Sequence, residues 1–338
     1  MKHFSLSLIT LAVLSSIFIA CNSSCGNVSN IAKFEKQMTI QPTITYIDGA
    51  VKQLDMLVLD KFYIIQSDVE ANQNQLSVYD KKTAKHLYSF AIKGHGRNET
   101  VAMDMFQNPQ GDTLEIIDQA KYKVFKYKIG YNKAELLSSN TLKIPTVGPL
   151  QEIYRINDST IIFNTLEQNL ETYNDKAEKA ICVYSMIDSL GLSFKDKDIA
   201  DFHFAYMDNE LCIGYRHINS IVKGAVDNMG KISIHDIDKV KEKIDLEDTR
   251  TYYWYVSMNE NNIVAQYMGY EPGFISKASS YKFFSPKFEI EIYTTKLMPY
   301  AHIVPKSDFL RCKLTSKDHC IYSWNPLEDK ENILKFIF

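Results

Sequence analysis

Arginines and aromatic rings are the side chains whose setting suggests chemistry. Arg97 lies in Gly94-His95-Gly96-Arg97-Asn98-Glu99, where glycine amides and a guanidinium together would grip a carboxylate or phosphate. The same stretch also reads as a turn, with glycines supplying positive φ and Glu99 pairing locally. A phosphate loop would need Lys-Ser/Thr and a following helix, and both are missing. Arg155, His203, Tyr255 and Arg311 occupy short apolar strands, as do Asp104 and Glu152. Arginine there would anchor a carboxylate or phosphate, and a ring would offer a stacking face. Tyr255 belongs to the run Tyr252-Tyr253-Trp254-Tyr255, which reads equally as packing between strands.

Metal and nucleophile chemistry find less support. His203, His217 and His235 fall on or near successive strands, but no His-Glu-x-x-His occurs. Asp196, Asp198 and Asp201 lack the full calcium-loop pattern and read as solvated turn carboxylates. Cys-x-x-Cys and Gly-x-Ser-x-Gly are absent, so no metal, cofactor or catalytic residue is expected.

Cys21 carries a different chemistry. A short basic start, Met1-Lys2-His3, leads into an apolar run from Phe4 that ends in Phe18-Ile19-Ala20-Cys21. The run is too short for a membrane span and reads as an export signal. An aliphatic residue, a small residue and then Cys resemble a bacterial lipoprotein signal, cleaved before a thiol that carries lipid. Two or three acyl chains on one residue anchor stably. The chain then divides into a signal (1–20), a polar tether (21–37) and one folded domain (38–338). Asn22 rather than Asp after the cysteine favours the outer membrane, with the domain facing the periplasm. Cys182, Cys212, Cys312 and Cys320 remain in an oxidising compartment. Cys312 and Cys320 flank a turn and either bridge a hairpin or stay as two strand thiols.

The elements behind these residues repeat. From residue 50 onward, a polar turn rich in Asp and Asn is followed at once by a compact apolar strand. Anchors at Ile65, Ile117, Ile162, Cys212, Val264 and Ile321 are spaced by 52, 45, 50, 52 and 57 residues. Each turn is preceded by another strand, such as Phe202-His203-Phe204-Ala205-Tyr206. Each copy is followed by an alternating one: Leu76-Ser77-Val78-Tyr79-Asp80, Val124 to Tyr127, Ile181 to Tyr184, Ile232 to Asp236 and Ile290 to Tyr293. Period-2 alternation means strands with one buried face, and Asn and Asp suit tight hairpins. Antiparallel strands in fours at such a period predict an all-β, six-bladed β-propeller. Phe338 falls in the third strand of the last blade, so the outer strand must come from Met38 to Tyr46.

The stretch from Asp60 through Tyr127, with Leu76-Ser77-Val78-Tyr79-Asp80 and the Gly94 to Glu99 loop, resembles the TolB-like six-bladed propeller lipoproteins of Bacteroidetes. That loop departs from the family's Gly-Arg-Gly-Pro-Gly-Glu pattern, with His95 for the first Arg and Arg97-Asn98 for Pro-Gly. The resemblance implies the fold and an anchored envelope location, and no chemistry. Across 338 residues the net charge is −3, with 45% hydrophobic and 23% charged residues. This excludes a disordered or polytopic chain and offers nucleic acid no electrostatic footprint. The expected function is non-enzymatic binding or scaffolding. One propeller face would hold protein, peptide or glycan, with the membrane engaged through lipid on Cys21. The competing class is a hydrolase or lyase, possibly glycan-directed, with its site at the axial channel mouth.

Overall fold

A computed structural model describes residues 34–48, 52–109, 111–144, 150–248, 250–270, 288–315, 320–326, 328 and 330–338. The signal, Cys21, most of the tether and the turn between Cys312 and Cys320 lie outside the described residues. The chain opens with β1 (Lys36–Ile40) and β2 (Thr43–Tyr46). Blade one is β3 (Gln53–Val58), β4 (Phe62–Ser67), β5 (Asn74–Asp80) and β6 (His86–Ile92). Blade two is β7 (Met103–Met105), β8 (Thr113–Asp118), β9 (Lys123–Ile129) and β10 (Ala134–Thr141). Blade three is β11 (Leu150–Asn157), β12 (Thr160–Thr165), β13 (Asn169–Asn174) and β14 (Lys179–Ser185). Blade four is β15 (Phe202–Met207), β16 (Glu210–Tyr215), β17 (Ile221–Val226) and β18 (Ile232–Ile234). Blade five is β19 (Thr251–Met258), β20 (Asn262–Tyr270), β21 (Glu289–Thr294) and β22 (Pro299–Pro305). Blade six holds β23 (Leu310–Leu314), β24 (Cys320–Trp324) and β25 (Asn332–Ile337).

The molecule is a six-bladed propeller of antiparallel sheets. Its ring is closed as the pattern predicts: β2 pairs antiparallel with β25, Thr43 opposite Lys335 and Tyr46 opposite Asn332, and is the outer strand of blade six. The sequence pattern does not reveal that β1 adds to blade five as a fifth strand, parallel to β22, from Lys36–Ala301 to Ile40–Pro305.

Turn chemistry sets the hairpins. Asp208 and Asn209 hold left-handed backbones, φ 48° and 69°, between β15 and β16. Asn259 Oδ1 accepts from the Asn261 and Asn262 amides at 3.0 and 2.8 Å, and Asn157 Oδ1 accepts from Ser159 N at 3.0 Å. These side chains bend the chain back in two residues, so each inner strand leads straight into the apolar second strand.

Two assignments shift by one strand. Ile181 to Tyr184 and Ile232 to Asp236 read as third strands, but they fall on the fourth, β14 and β18, with His235 and Asp236 lying past the end of β18. The true third strand of blade three, Asn169-Leu170-Glu171-Thr172-Tyr173-Asn174, is polar in appearance, whereas that of blade four, Ile221-Val222-Lys223-Gly224-Ala225-Val226, is apolar. Helices pack against part of the outer pair, although Ile181 and Val183 remain exposed. α1 (Met186–Leu190), a 3-10 turn (Phe194–Ala200) and α2 (Ile237–Lys241) put Met186, Leu190, Ala200 and Val240 into one cluster with Cys182, Tyr184 and Ile234. None of the helices among the described residues is long and apolar enough to cross a membrane.

Amide side chains stitch neighbouring blades. Gln66 Nε2 donates to Met103 O at 2.8 Å, and Asn164 Nδ2 donates to Phe202 O at 3.3 Å. Gln119 both donates to Leu150 O, at 2.8 Å, and accepts from Leu150 N, at 3.1 Å. Each amide satisfies backbone that starts an inner strand and would otherwise be buried unpaired. Blades four and five approach closely at Gly214, where a Cβ would lie 2.8 Å from Val256 Cγ1 and 3.1 Å from Tyr253 Cβ.

Candidate ligand site in the axial channel

The six inner strands run side by side around one axis, so residues two apart on each share the channel side. At the end where these strands finish, all six blades line a cavity of about 120 Å³. Leu57, Gln107, Tyr154, Ala205, Tyr255 and Lys313 represent one blade each. Its floor is a polar knot. Lys313 Nζ donates to Tyr255 Oη at 2.9 Å and to Gln107 Oε1, and Tyr255 Oη donates to Gln107 Oε1 at 3.2 Å. Lys313 is 5% exposed, and burial pulls its pKa below the usual lysine range even beside Asp55.

Two residues back along the strands lies a second tier: Asp55, Glu152, His203 and Arg311, with Asp104 close by. Asp55 Oδ1 accepts from Met56 N at 2.8 Å and lies 3.3 Å from Lys313 Nζ. Its Oδ2 accepts from Arg311 Nη1 at 3.0 Å. Burial alone would raise the Asp55 pKa, but Lys313 and Arg311 hold it below the usual carboxylate range. Asp104 goes the other way. Burial pushes it up to about 6, and the Gln119 amide, donating to Oδ2 at 2.8 Å, offsets only part of this; Asp55 adds to the rise.

His203 sits in a relay. Arg216 Nη2 donates to His203 Nε2 at 2.8 Å, which leaves the ring proton on Nδ1 to donate to Glu152 Oε1 at 2.8 Å. Glu152 Oε2 accepts from Phe204 N at 2.8 Å, and Arg216 Nη1 lies 2.7 Å from Asp201 Oδ2. Both imidazole nitrogens are therefore engaged. Burial raises the Cys212 thiol to about 12 and also raises Cys312, so neither is a thiolate at neutral pH. Cys312 and Cys320 are free and buried in different clusters, which resolves the hairpin alternatives in favour of two strand thiols.

The sequence candidates separate. His203, Tyr255 and Arg311 converge on the axis with Glu152 and Asp104. Arg155 stands apart, with Nε donating to Glu115 Oε2 at 2.8 Å and Nη1 to Asp175 Oδ2 at 2.7 Å. Arg97 stays at the rim, exposed. Its loop folds on itself: Glu99 Oε2 accepts from Gly96 N at 2.7 Å, and Lys121 Nζ donates to the carbonyls of Gly94, Gly96 and Glu99. A Cβ on Gly94 would fall 2.2 Å from Glu99 Oε2, so the glycines make room for that carboxylate.

Tyr252, Tyr253 and Tyr255 are all buried, and two irregularities in the pairing of β19 break the strict alternation expected of the aromatic run. Tyr253 Oη donates to Glu291 Oε2 at 3.2 Å, away from the knot. Among the described residues, no group of three or more His, Cys, Asp or Glu is placed to hold a metal. Asp55, Gln107 and Lys313 are the channel residues that the sequence reading passes over. Their signal is a polar residue two positions from an inner-strand candidate or just beyond a strand end.

The fold and the channel define the class: a six-bladed β-propeller with a polar axial cluster. Several solved structures share the architecture. A Bacteroides vulgatus member of the DUF4221 family is similar with a TM-score of 0.58 at 12% identity, covering 88% of this chain and 96% of that one. A Bacteroides fragilis protein named as a candidate exported protein gives 0.54 at 11%, covering 90% and 99%. The Cps50 (Swd1) β-propeller domain of Myceliophteria thermophila gives 0.50 at 11%, covering 88% and 100%. At such identities the likeness is one of fold. No protein-family model and no curated protein sequence matches the chain.

Proposed function

We propose that this chain is a lipid-anchored, non-enzymatic binding protein of the bacterial cell envelope, holding a protein, peptide or glycan partner at the propeller face over the axial channel. The observation that carries the reading is the convergence of polar and aromatic side chains from all six inner strands on one axis. Such a rigid ring of strands presents its loops as a broad recognition face. Binding is favoured over turnover because the obvious reactive groups are occupied. His203 has partners on both nitrogens, and the Lys313 ammonium has three acceptors in Asp55, Gln107 and Tyr255.

The Ile19-Ala20-Cys21 signal supports the anchor, and a structural neighbour named for export agrees with an extracytoplasmic location. The TolB-like resemblance and the outer-membrane address belong to the same reading. Cell fractionation tests it. Cys21→Ser should move the protein from the membrane to the soluble fraction and remove the acyl mass from the mature N-terminus. The wild-type protein should co-purify with an envelope partner after mild cross-linking. A Cys21→Ser protein that stays wholly in the membrane would sink the anchor.

A further inference from the structure

Arg311 differs from every other charged member of the channel cluster. Asp55, Glu152 and Lys313 are almost fully buried, yet the Arg311 side chain is 45% exposed. Its backbone is left-handed, φ 50°, although it is not glycine. The pairing of β23 with β24 skips between Leu310 and Lys313, so the residue rides on a bulge. A bulge re-aims a side chain, and a non-glycine left-handed residue costs about 1 kcal/mol or more, so it persists only where surrounding structure holds it. Here the effect is to bring the guanidinium to Asp55 on the far side of the Lys313–Tyr255–Gln107 knot while leaving it open to solvent.

Asp55 has a second, buried cation in Lys313, so its neutralisation does not rest on Arg311 alone. Among the described residues, Asp55 is the one ion-pair partner of Arg311, taken by Nη1 alone. A guanidinium has five donors in a planar fork, and the remaining edge matches the two oxygens of a carboxylate. Two cations, Arg311 and Lys313, face three carboxylates in Asp55, Glu152 and Asp104. Arg216 and Asp201 cancel behind His203. With Asp104 protonated the cluster is balanced, and an incoming anion meets no net repulsion.

We propose that the free edge of Arg311 receives the carboxylate of a small ligand, such as a peptide C-terminus or a uronic acid, and that Asp104 controls its entry. This rests on the reading of the chain as a binding protein and names the chemistry of the ligand. The burial-raised pKa of Asp104, about 6, puts the control in a physiological range. The groups facing Asp104 are Gln119 after β8, Asp55 on β3 and Arg311 on β23. Asp118, paired across from Met103, is already held by the Val101 and Ala102 amides and by Lys121. Glu152, Lys313, His203 and Tyr255 complete the ring.

Calorimetry on the soluble Cys21→Ser full chain tests this with three probes: N-acetyl-glycyl-alanine, its C-terminal amide, and glucuronate. The free acid should bind and the amide should not. Affinity should rise about tenfold from pH 7.5 to pH 5.5, as one nearby negative charge is removed. Asp104→Asn should bind at pH 7.5 as the parent chain does at pH 5.5, with no further pH dependence. Arg311→Gln should weaken binding at least tenfold at both pH values. Arg311→Lys, which keeps the charge and loses the fork, should weaken it severalfold. Binding by the peptide acid alone, or by glucuronate alone, supports the site and identifies the source of its carboxylate. Equal binding of acid and amide, or full binding by Arg311→Gln, overturns the site. Acid binding that ignores pH overturns the role of Asp104. Carboxylate binding with partner capture unchanged in Arg311→Gln sustains this inference and overturns the placement of the partner over the channel.

Discussion

Arg155 and Arg311 occupy comparable inner strands, in blades three and six, and each meets a carboxylate from a neighbouring blade. Arg155 is 11% exposed, spends two edges of its guanidinium on Glu115 and Asp175, and stacks 5.3 Å from the Phe106 ring. Arg311 is four times as exposed, spends one donor on Asp55, and sits on a bulge. The first is a cross-link between blades two and three. The second is a guanidinium held partly in reserve. What separates a structural arginine from a recognising one here is the number of donors already committed and the backbone that aims them.

The largest effect that tests this contrast is on stability. Arg155→Met should cost about 3–5 kcal/mol, because Asp175 is left nearly buried without its arginine and Glu115 keeps only the longer Lys126 contact at 3.7 Å. A thermal melt should fall by roughly 10 °C. A loss below about 1 kcal/mol would remove the distinction between the two arginines. Next is the pH dependence of the Arg311 side. Asp104 has a folded-state pKa raised to about 6 from 3.8, so the folded protein binds its proton more tightly than the unfolded chain. The stability it contributes is complete below about pH 4, is lost as pH rises through 6, and is flat above. That amounts to roughly 2–3 kcal/mol at most. Urea melts of wild type minus Asp104→Asn across pH 4–7.5 should show this slope. A difference that does not change with pH would place Asp104 in ordinary solvent.

Arg311→Met should lose no more than about 1 kcal/mol, since Lys313 continues to neutralise Asp55 and the lost pair is half exposed. A loss equal to that of Arg155→Met would make Arg311 structural as well. The smallest effect belongs to a third arginine. Arg97→Ala should stay within about 0.5 kcal/mol in the same melts, because the side chain is exposed and the loop is held by Glu99 and Lys121. A larger loss would show that the loop depends on the guanidinium.

The propeller was legible because two signals coincide in every repeat: an Asn or Asp turn and an apolar second strand. Asp208-Asn209 and Asn259 do in the structure what their types promise. The third strands of blades three and four were not legible. In blade three, Glu171 and Thr172 are buried by neighbours that sequence does not place, while the apolar Ile181 and Val183 lie exposed on the outer β14. The site was half legible. Inner-strand polarity picks out His203, Arg311, Glu152 and Asp104. Tyr-Arg-Ile around Arg155 and Leu-Arg-Cys around Arg311 look alike, and the positive φ that distinguishes them has no glycine to announce it. The amide stitches by Gln66, Gln119 and Asn164 would show only as single polar residues at or just past the end of an apolar strand.

The pairing of β2 with β25 has a consequence for how the molecule comes to exist. Thr43 must find Lys335, almost the whole length of the domain away. Closing so long an unstructured loop would cost about 5 kcal/mol of chain entropy. The hairpins of the intervening blades form locally and shorten the path, so ring closure is expected to be the late and slow step of folding. Until then β25 offers an open edge to any passing strand. A chain that stalls before Leu334 has no completed last sheet for β2 to join, so the seam works as an assembly checkpoint between synthesis and a finished ring.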